Sequence, residues 1–238
     1  MLKSELFFKE KNKPFFNFLV ELLVGGWTGA ILGWTVATGV FDARFFTYFT
    51  YALGFSFYLF IFLSETESEL HEWLILLTLP IYTCLTIFVY VAIVVIVYKN
   101  DWVIIRDSVF AGGDLSLGEV HTGDWLFHYL PPFTLLVYTL VNYVPISVTN
   151  YLFWNEKSKK AKFCYIAYVF LTPMLILGCY MVTMPFDSNY PTKMRTWQVC
   201  VLVFGLSAAI QAIYIAGSYS VAMTLGRFIV NYIELLRN

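Results

Sequence analysis

Residues 73–98 read WLILLTLPIYTCLTIFVYVAIVVIVY, 26 consecutive positions without an acidic or basic side chain. The hydrocarbon core of a bilayer is about 30 Å thick, and a helix of about 20 apolar residues crosses it. This stretch is apolar on every face rather than alternating, which favours a helix over a strand of a membrane barrel. Because backbone groups in lipid must be paired within their own segment, we predict that these residues form a transmembrane helix.

Five further stretches have the same character, so we predict an all-α integral membrane bundle. The six predicted spans lie near Phe16–Val40, Phe46–Leu63, Trp73–Tyr98, Trp125–Val144, Phe163–Met184 and Trp197–Gly226. Aromatic residues cluster at the predicted span ends, as in the aromatic belts of membrane proteins. We therefore expect a charged N-terminal segment at 1–15, a single transmembrane domain at 16–226 and a short C-terminal tail at 227–238.

The composition excludes several other classes of protein. Apolar residues make up 59% of the chain and charged residues 13%, against about 45–50% and 25% in soluble domains. The net charge of −1 gives no sign of a nucleic-acid partner. The four cysteines lie in apolar runs without metal-binding spacing, so we expect neither a metal nor a cofactor.

Basic residues are divided unevenly between the two ends of the predicted spans. Ten of them fall on the side that holds both termini, and five fall on the opposite side. The positive-inside rule then places both termini on the inner side, in the cytoplasm or in the mitochondrial matrix. The expected location is the mitochondrial inner membrane or the endoplasmic reticulum.

The first span contains closely spaced glycines at Gly25, Gly29 and Gly33. Small residues at four-residue spacing let a second helix approach closely. Two interpretations stay open, namely tight packing inside the bundle and contact with another subunit.

The fourth span opens with HTGDWLFHYLPP at residues 121–132. Helical spacing places His121, Asp124 and His128 on one face. Such groups are costly in lipid, so they must face the bundle interior, a partner or a water-filled cavity. Three interpretations compete: an incomplete metal pair, a general base held by a carboxylate, and a polar clamp between helices. Pro131 and Pro132, which lack amide hydrogens, predict a kink nearby.

A general base needs a nucleophile, and Thr47 is the candidate. It lies near the start of the second span, and the predicted topology places it in the same leaflet as His128. A threonine activated by histidine is an accepted nucleophile. The alternative is that the Thr47 hydroxyl bonds its own helix, as threonines in membrane helices commonly do.

Several motifs together resemble the androgen-induced family of membrane hydrolases. They are Arg44-Phe45-Phe46-Thr47-Tyr48, the third span from Glu72-Trp73 through Leu79-Pro80, Asp124 and His128 followed by Leu130-Pro131, and Tyr190-Pro191. The resemblance implies a six-helix bundle of the endoplasmic-reticulum type that hydrolyses fatty acid esters of hydroxy fatty acids. Carried over by position, Thr47 is the nucleophile and His128 the base. The chain is also similar in outline to rolling-stone type membrane proteins.

Two functions follow as expectations. The first is a non-catalytic, lipid-binding structural subunit of a larger membrane complex, with membrane lipids and other membrane proteins as partners. The alternative is a threonine/histidine hydrolase of fatty acyl esters within the bilayer. In the hydrolase, Asp124 orients His128, and Arg44 or Arg106 holds a free carboxylate of the substrate. His121 belongs with these two arginines in the expected substrate- or lipid-binding set.

Overall fold

The computed structural model describes residues 15–37, 46–64, 68–97, 128–183 and 196–237. Every regular element in these ranges is helical, and none of them contains a strand. Five of the helices are long and apolar enough to cross a membrane, or six if one bent pair is a single crossing. The prediction of an all-α membrane bundle is confirmed.

Nine α-helices occupy the described ranges, and two of their junctions are π-helical turns. These turns are Leu74–Thr78 and Ala222–Gly226. The helices are α1 Phe15–Ala37, α2 Phe46–Leu63, α3 Glu69–Trp73, α4 Leu79–Val97, α5 Leu130–Val141, α6 Tyr143–Glu156, α7 Lys159–Thr183, α8 Thr196–Val221 and α9 Arg227–Arg237.

The fourth predicted span is bent at Asn142. Helices α5 and α6 meet there at 77°. The backbone N–H and the side-chain Nδ2 of Asn142 both donate to the Tyr138 carbonyl, at 2.9 and 3.1 Å. Pro131 and Pro132 lie in the first turn of α5, where the missing amide hydrogens cost little. The kink predicted next to them stays a prediction, because the residues before His128 lie outside the described ranges. Within the described residues, the main break of this span therefore comes about ten residues after the prolines.

Helix α5 runs alongside α2 in the same direction. Thr47 contacts His128 near the start of both helices, and the rings of Phe57 and Tyr138 meet 5.3 Å apart near the other end. Helix α5 therefore traverses most of the depth that α2 spans. Counting the bent pair as one crossing gives six crossings, which returns both ends of the chain to the same side.

Aromatic side chains fill the centre of the bundle between α1, α2, α4 and α5. Phe57, Tyr58, Tyr82 and Tyr138 are all fully buried. Their ring centroids lie 5.3–5.9 Å apart, mostly edge to face. Aromatic pairs of this geometry stabilise by about 0.5–1.5 kcal/mol each beyond area burial. This cluster fixes α2 and α5 against each other and so positions the residues at their starts.

The last helical run is much longer than a bilayer is thick. Residues 196–237 are helical throughout, which corresponds to about 60 Å at 1.5 Å per residue. Residues 227–237, which the sequence assigns to a short C-terminal tail, are helical and form α9. Helix α6 packs across this run, where Gly226 approaches Ser147 and Tyr151 closely.

Candidate active site

Thr47 and His128 meet at the end of the bundle where α2 and α5 begin. Thr47 lies in the first turn of α2 and is 5% exposed. His128 lies two residues before α5 and is partly buried. The Oγ1 atom of Thr47 is 3.3 Å from Nε2 of His128. The structure thus brings together the two residues that the sequence placed in one leaflet.

The turn that carries His128 is held by the two residues that follow it. The ring of Tyr129 packs edge-on against Tyr90 of α4, with centroids 5.3 Å apart. Leu130 packs in a buried cluster with Ile31 and Tyr51. Contacts on three different helices therefore fix the imidazole next to Thr47.

The Thr47 hydroxyl differs from most threonine hydroxyls of the bundle. Thr50, one turn later, donates to the carbonyl of Thr47 at 2.7 Å. The same backbone bond, three or four residues back, is made by Thr28, Thr35, Thr134, Thr139 and Thr224. Within the described ranges, Thr47 makes no such bond and contacts the imidazole instead. The alternative that its hydroxyl bonds its own helix therefore fits Thr50 but not Thr47.

A second hydroxyl–imidazole pair lies at the opposite end of α2. The Oγ atom of Ser64 is 3.0 Å from Nδ1 of His71, and both residues are buried. Ser64 also donates to the carbonyl of Ile61 at 2.9 Å. A serine hydroxyl has one proton, so Ser64 accepts a hydrogen bond from Nδ1–H of His71. In this pair the imidazole donates and the hydroxyl accepts, which is the direction of a structural contact. A nucleophile and its base require the opposite direction.

In the Thr47–His128 pair the hydroxyl can donate and the imidazole can accept. When Nδ1 of His128 carries the ring proton, Nε2 accepts from the Thr47 hydroxyl. An imidazole that accepts from a hydroxyl can remove its proton as that oxygen attacks an electrophile. The pair can therefore serve as a nucleophile and a general base.

Four of the predicted site residues lie outside the described residues: Arg44, Arg106, His121 and Asp124. The expected role of Asp124 as the group that orients His128 remains a prediction, as do those of the other three. Within the described ranges, no group of three His, Cys, Asp or Glu side chains could hold a metal ion.

The three glycines of α1 that were predicted to form one helix-packing surface, Gly25, Gly29 and Gly33, do not all face the same neighbour. An added Cβ at Gly25 would lie 3.2 Å from Cβ of Tyr58, and one at Gly29 would lie 2.6 Å from the ring of Phe55. These two glycines therefore pack against α2 inside the bundle. An added Cβ at Gly33 would meet no described atom within 4 Å, so Gly33 faces outward.

Two buried polar features were missed by the sequence analysis. The Ser64–His71 pair spans a short loop with seven-residue spacing, and only the fold shows that the loop folds back. A column of tyrosines in the bundle interior had a readable signal. Thr47, Tyr51, Gly54 and Tyr58 recur at spacings of four, three and four, which marks one helix face.

The fold and this site define an all-α, multi-pass integral membrane protein with a hydroxyl–imidazole pair at one end of the bundle. A scan against protein-family models, a search of curated proteins and a search of solved structures each found no match to this chain.

Proposed function

We propose that the protein is an integral membrane hydrolase of lipid carboxylic esters, with Thr47 as the nucleophile and His128 as the general base. The 3.3 Å contact between Oγ1 of Thr47 and Nε2 of His128 carries the proposal. The resemblance to the androgen-induced membrane hydrolases supports it, since that family uses a threonine and a histidine at the corresponding motifs.

The reaction begins when an acyl ester enters the site from the surrounding lipid. Oγ1 of Thr47 attacks the ester carbonyl while its proton moves to Nε2 of His128. The imidazolium then gives that proton to the departing alkoxide, which leaves as the alcohol. Water then attacks the acyl-threonine while Nε2 of His128 takes its proton, and His128 returns that proton to Oγ1 of Thr47 as the carboxylic acid leaves.

In this mechanism four residues outside the described ranges have proposed roles. Asp124 orients His128, and Arg44 or Arg106 holds the free carboxylate of a fatty acid ester of a hydroxy fatty acid. His121 is assigned with them to substrate or lipid binding.

A fluorophosphonate probe tests the proposal on the full chain purified in detergent. Such probes label activated hydroxyl nucleophiles covalently. We expect labelling of the wild type and loss of labelling in Thr47→Ala and in His128→Ala. Thr50→Ala is the matched control, because Thr50 lies one turn away and bonds its own helix. Its labelling should equal that of the wild type.

Turnover of a fatty acyl ester gives a second measurement. Removing a general base lowers the rate by about 10²–10⁴-fold, which is the loss expected for His128→Ala. Equal activity in the wild type and Thr47→Ala would contradict the assignment of the nucleophile. Absence of labelling in well-folded wild type would contradict the hydrolase itself.

A second candidate function is a non-catalytic, lipid-binding structural subunit of a larger complex in the mitochondrial inner membrane or the endoplasmic reticulum. One observation favours it. Gly26, Ala30, Gly33 and Ala37 form an exposed stripe of small residues along the outer face of α1. Such stripes let a neighbouring transmembrane helix pack closely. If the protein is such a subunit, other membrane proteins should co-purify with the wild type and with Thr47→Ala, which the probe does not label. They should be lost from Gly33→Leu, and this result would favour the subunit over the hydrolase.

A further inference from the structure

A column of buried polar side chains runs through the bundle from the Thr47–His128 pair toward its opposite end. Helix α2 contributes Tyr51 and Tyr58, which lie four and eleven residues after Thr47 and so share its face. Helix α5 contributes Tyr138, ten residues after His128. All three tyrosines are at most 2% exposed.

Tyr82 of α4 links the two halves of this column. Its hydroxyl sits against Gly54, where an added Cβ would lie 2.6 Å from Oη. Tyr51 lies one turn before Gly54 on the same face of α2, next to this contact. The ring of Tyr58 lies 5.8 Å from that of Tyr82 and 5.7 Å from that of Tyr138. The order Tyr51, Tyr82, Tyr58, Tyr138 is therefore contiguous.

The far end of the column reaches a buried acid on α1. Glu21 is 1% exposed, and it lies on α1 between Val20 and Val24, which pack in the same buried cluster as Tyr138. One turn earlier on the same face, Nδ2 of Asn17 donates to Oδ1 of Asn142 at 3.3 Å. This amide pair sits at the bend between α5 and α6, close to the aqueous side where α1 begins.

Packing alone does not explain why two side chains of this column are tyrosine rather than phenylalanine. Within the described residues, the Oη atoms of Tyr58 and Tyr138 are buried without a hydrogen-bond partner. An unsatisfied buried hydroxyl costs about 1–3 kcal/mol. Phenylalanine would fill almost the same volume without that cost. An ionisable side chain inside a membrane bundle, such as Glu21, commonly marks an ion or proton pathway.

We propose that this column is a proton path that joins His128 to Glu21 and carries protons across the membrane. A hydroxyl both donates and accepts, so each tyrosine passes its own proton to the next oxygen and takes one from the previous group. Rotation of the phenol O–H or a bridging water closes the gaps at Tyr58 and Tyr138. Only O–H and N–H bonds break and form, and each passage moves one proton and one positive charge.

Proton flux into liposomes tests this path with the intact protein. The full chain is reconstituted into vesicles that contain potassium and a pH-sensitive dye. Valinomycin then lets potassium leave, and the resulting negative interior draws protons inward. We expect the wild type to acidify the vesicle interior several-fold faster than protein-free vesicles do.

Conservative variants locate the path. Glu21→Gln and Tyr138→Phe should lower the flux to the level of protein-free vesicles. Tyr165→Phe is the matched control, because Tyr165 is also a buried tyrosine whose hydroxyl lacks a partner within the described residues. It packs in a different cluster with Trp154 and Val169, so its flux should stay within twofold of the wild type.

Two outcomes would overturn the proposal. The first is a wild-type flux equal to that of protein-free vesicles. The second is a flux that Tyr165→Phe lowers as much as Glu21→Gln does. Probe labelling of Thr47 should be unchanged in Glu21→Gln, so a failure of the path is distinguishable from a failure of the hydrolase.

Discussion

Gly226 lies where helix α6 crosses the long final helix, and Gly226→Ala should destabilise the protein. An added Cβ would collide with the carbonyl oxygen of Ser147. It would also lie 2.8 Å from Cβ of Tyr151 and 3.1 Å from the carbonyl carbon of Ser147. Ordinary contacts between such atoms are about 3.5–4.0 Å. None of these atoms can rotate away, so α6 must move as a unit.

The change in unfolding free energy for Gly226→Ala is the difference between a steric cost and a gain in helix propensity. Overpacking of this kind costs about 1–3 kcal/mol, and the backbone contacts at Gly226 place this site toward the upper end of that range. Alanine is favoured over glycine in a helix by about 1 kcal/mol. The expected net loss of unfolding free energy is therefore about 1–2 kcal/mol. Gly217→Ala in α8 is the matched control, since its added Cβ meets nothing within 4 Å. It should gain about 1 kcal/mol from helix propensity alone.

Thermal unfolding in detergent measures the difference between these two variants. Cys84 is a buried thiol, and its reaction with a fluorogenic thiol reagent reports unfolding once the more exposed thiols have been blocked. A difference of about 2–3 kcal/mol corresponds to roughly 5–10 °C in Tm for a chain of this size. Equal Tm values for Gly226→Ala and Gly217→Ala would refute the close crossing of α6 over the final helix.

Two further substitutions test the interior of the bundle. Gly54→Ala should lower stability by about 1–3 kcal/mol, because its Cβ would press on the hydroxyl of Tyr82, which neighbouring aromatic rings hold in place. A variant as stable as the wild type in the same unfolding assay would contradict that packing. Ser64→Ala should cost about 1–3 kcal/mol by removing the acceptor of Nδ1–H of His71, while fluorophosphonate labelling stays at the wild-type level. Loss of labelling in Ser64→Ala would show that the nucleophile and the structural pair have been assigned the wrong way round.

Hydropathy predicted the spans well because each one is a local property of the chain. The second predicted span, Phe46–Leu63, coincides with α2, and the first was predicted to begin one residue after the start of α1. The predicted end of the first span, at residues 38–40, lies outside the described ranges. The fifth was predicted to begin at Phe163, but α7 begins at Lys159. A helix can continue beyond the hydrocarbon into the polar interface, so the apolar run marks the membrane rather than the helix end.

The bend at Asn142 could not be read from local sequence. Prolines are the commonest local cause of a kink, and Pro131 and Pro132 predicted one close to themselves. Asn142 is instead held by Asn17, a residue 125 positions away, and by the Tyr138 carbonyl that both its nitrogens reach. A break of this kind depends on which helices become neighbours, and composition does not contain that information.

In the candidate site, too, some features could be predicted from local sequence and others depend on which helices become neighbours. Residue type and predicted depth were sufficient to pair Thr47 with His128. The glycine stripe was assigned as one surface, yet Gly25 and Gly29 face α2 whereas Gly33 faces outward. At about 100° per residue, a step of four residues turns about 40° past a full turn, so Gly33 lies about 80° around the helix from Gly25. Only the position of α2 decides which of these glycines it covers.

Both ends of α2 carry a hydroxyl–imidazole pair, and the difference between them lies in the backbone rather than in the residue types. At Ser64 the helix is ending, and the free carbonyl of Ile61 takes the hydroxyl proton. At Thr47 the helix is beginning, and the positions three and four residues back precede α2, so no carbonyl of α2 itself lies there for the hydroxyl to reach. A hydroxyl in the first turn is therefore free to donate to an imidazole. The start of a membrane helix is thus the better place for a nucleophile, and a search for similar sites should weight hydroxyl residues by their position along the span.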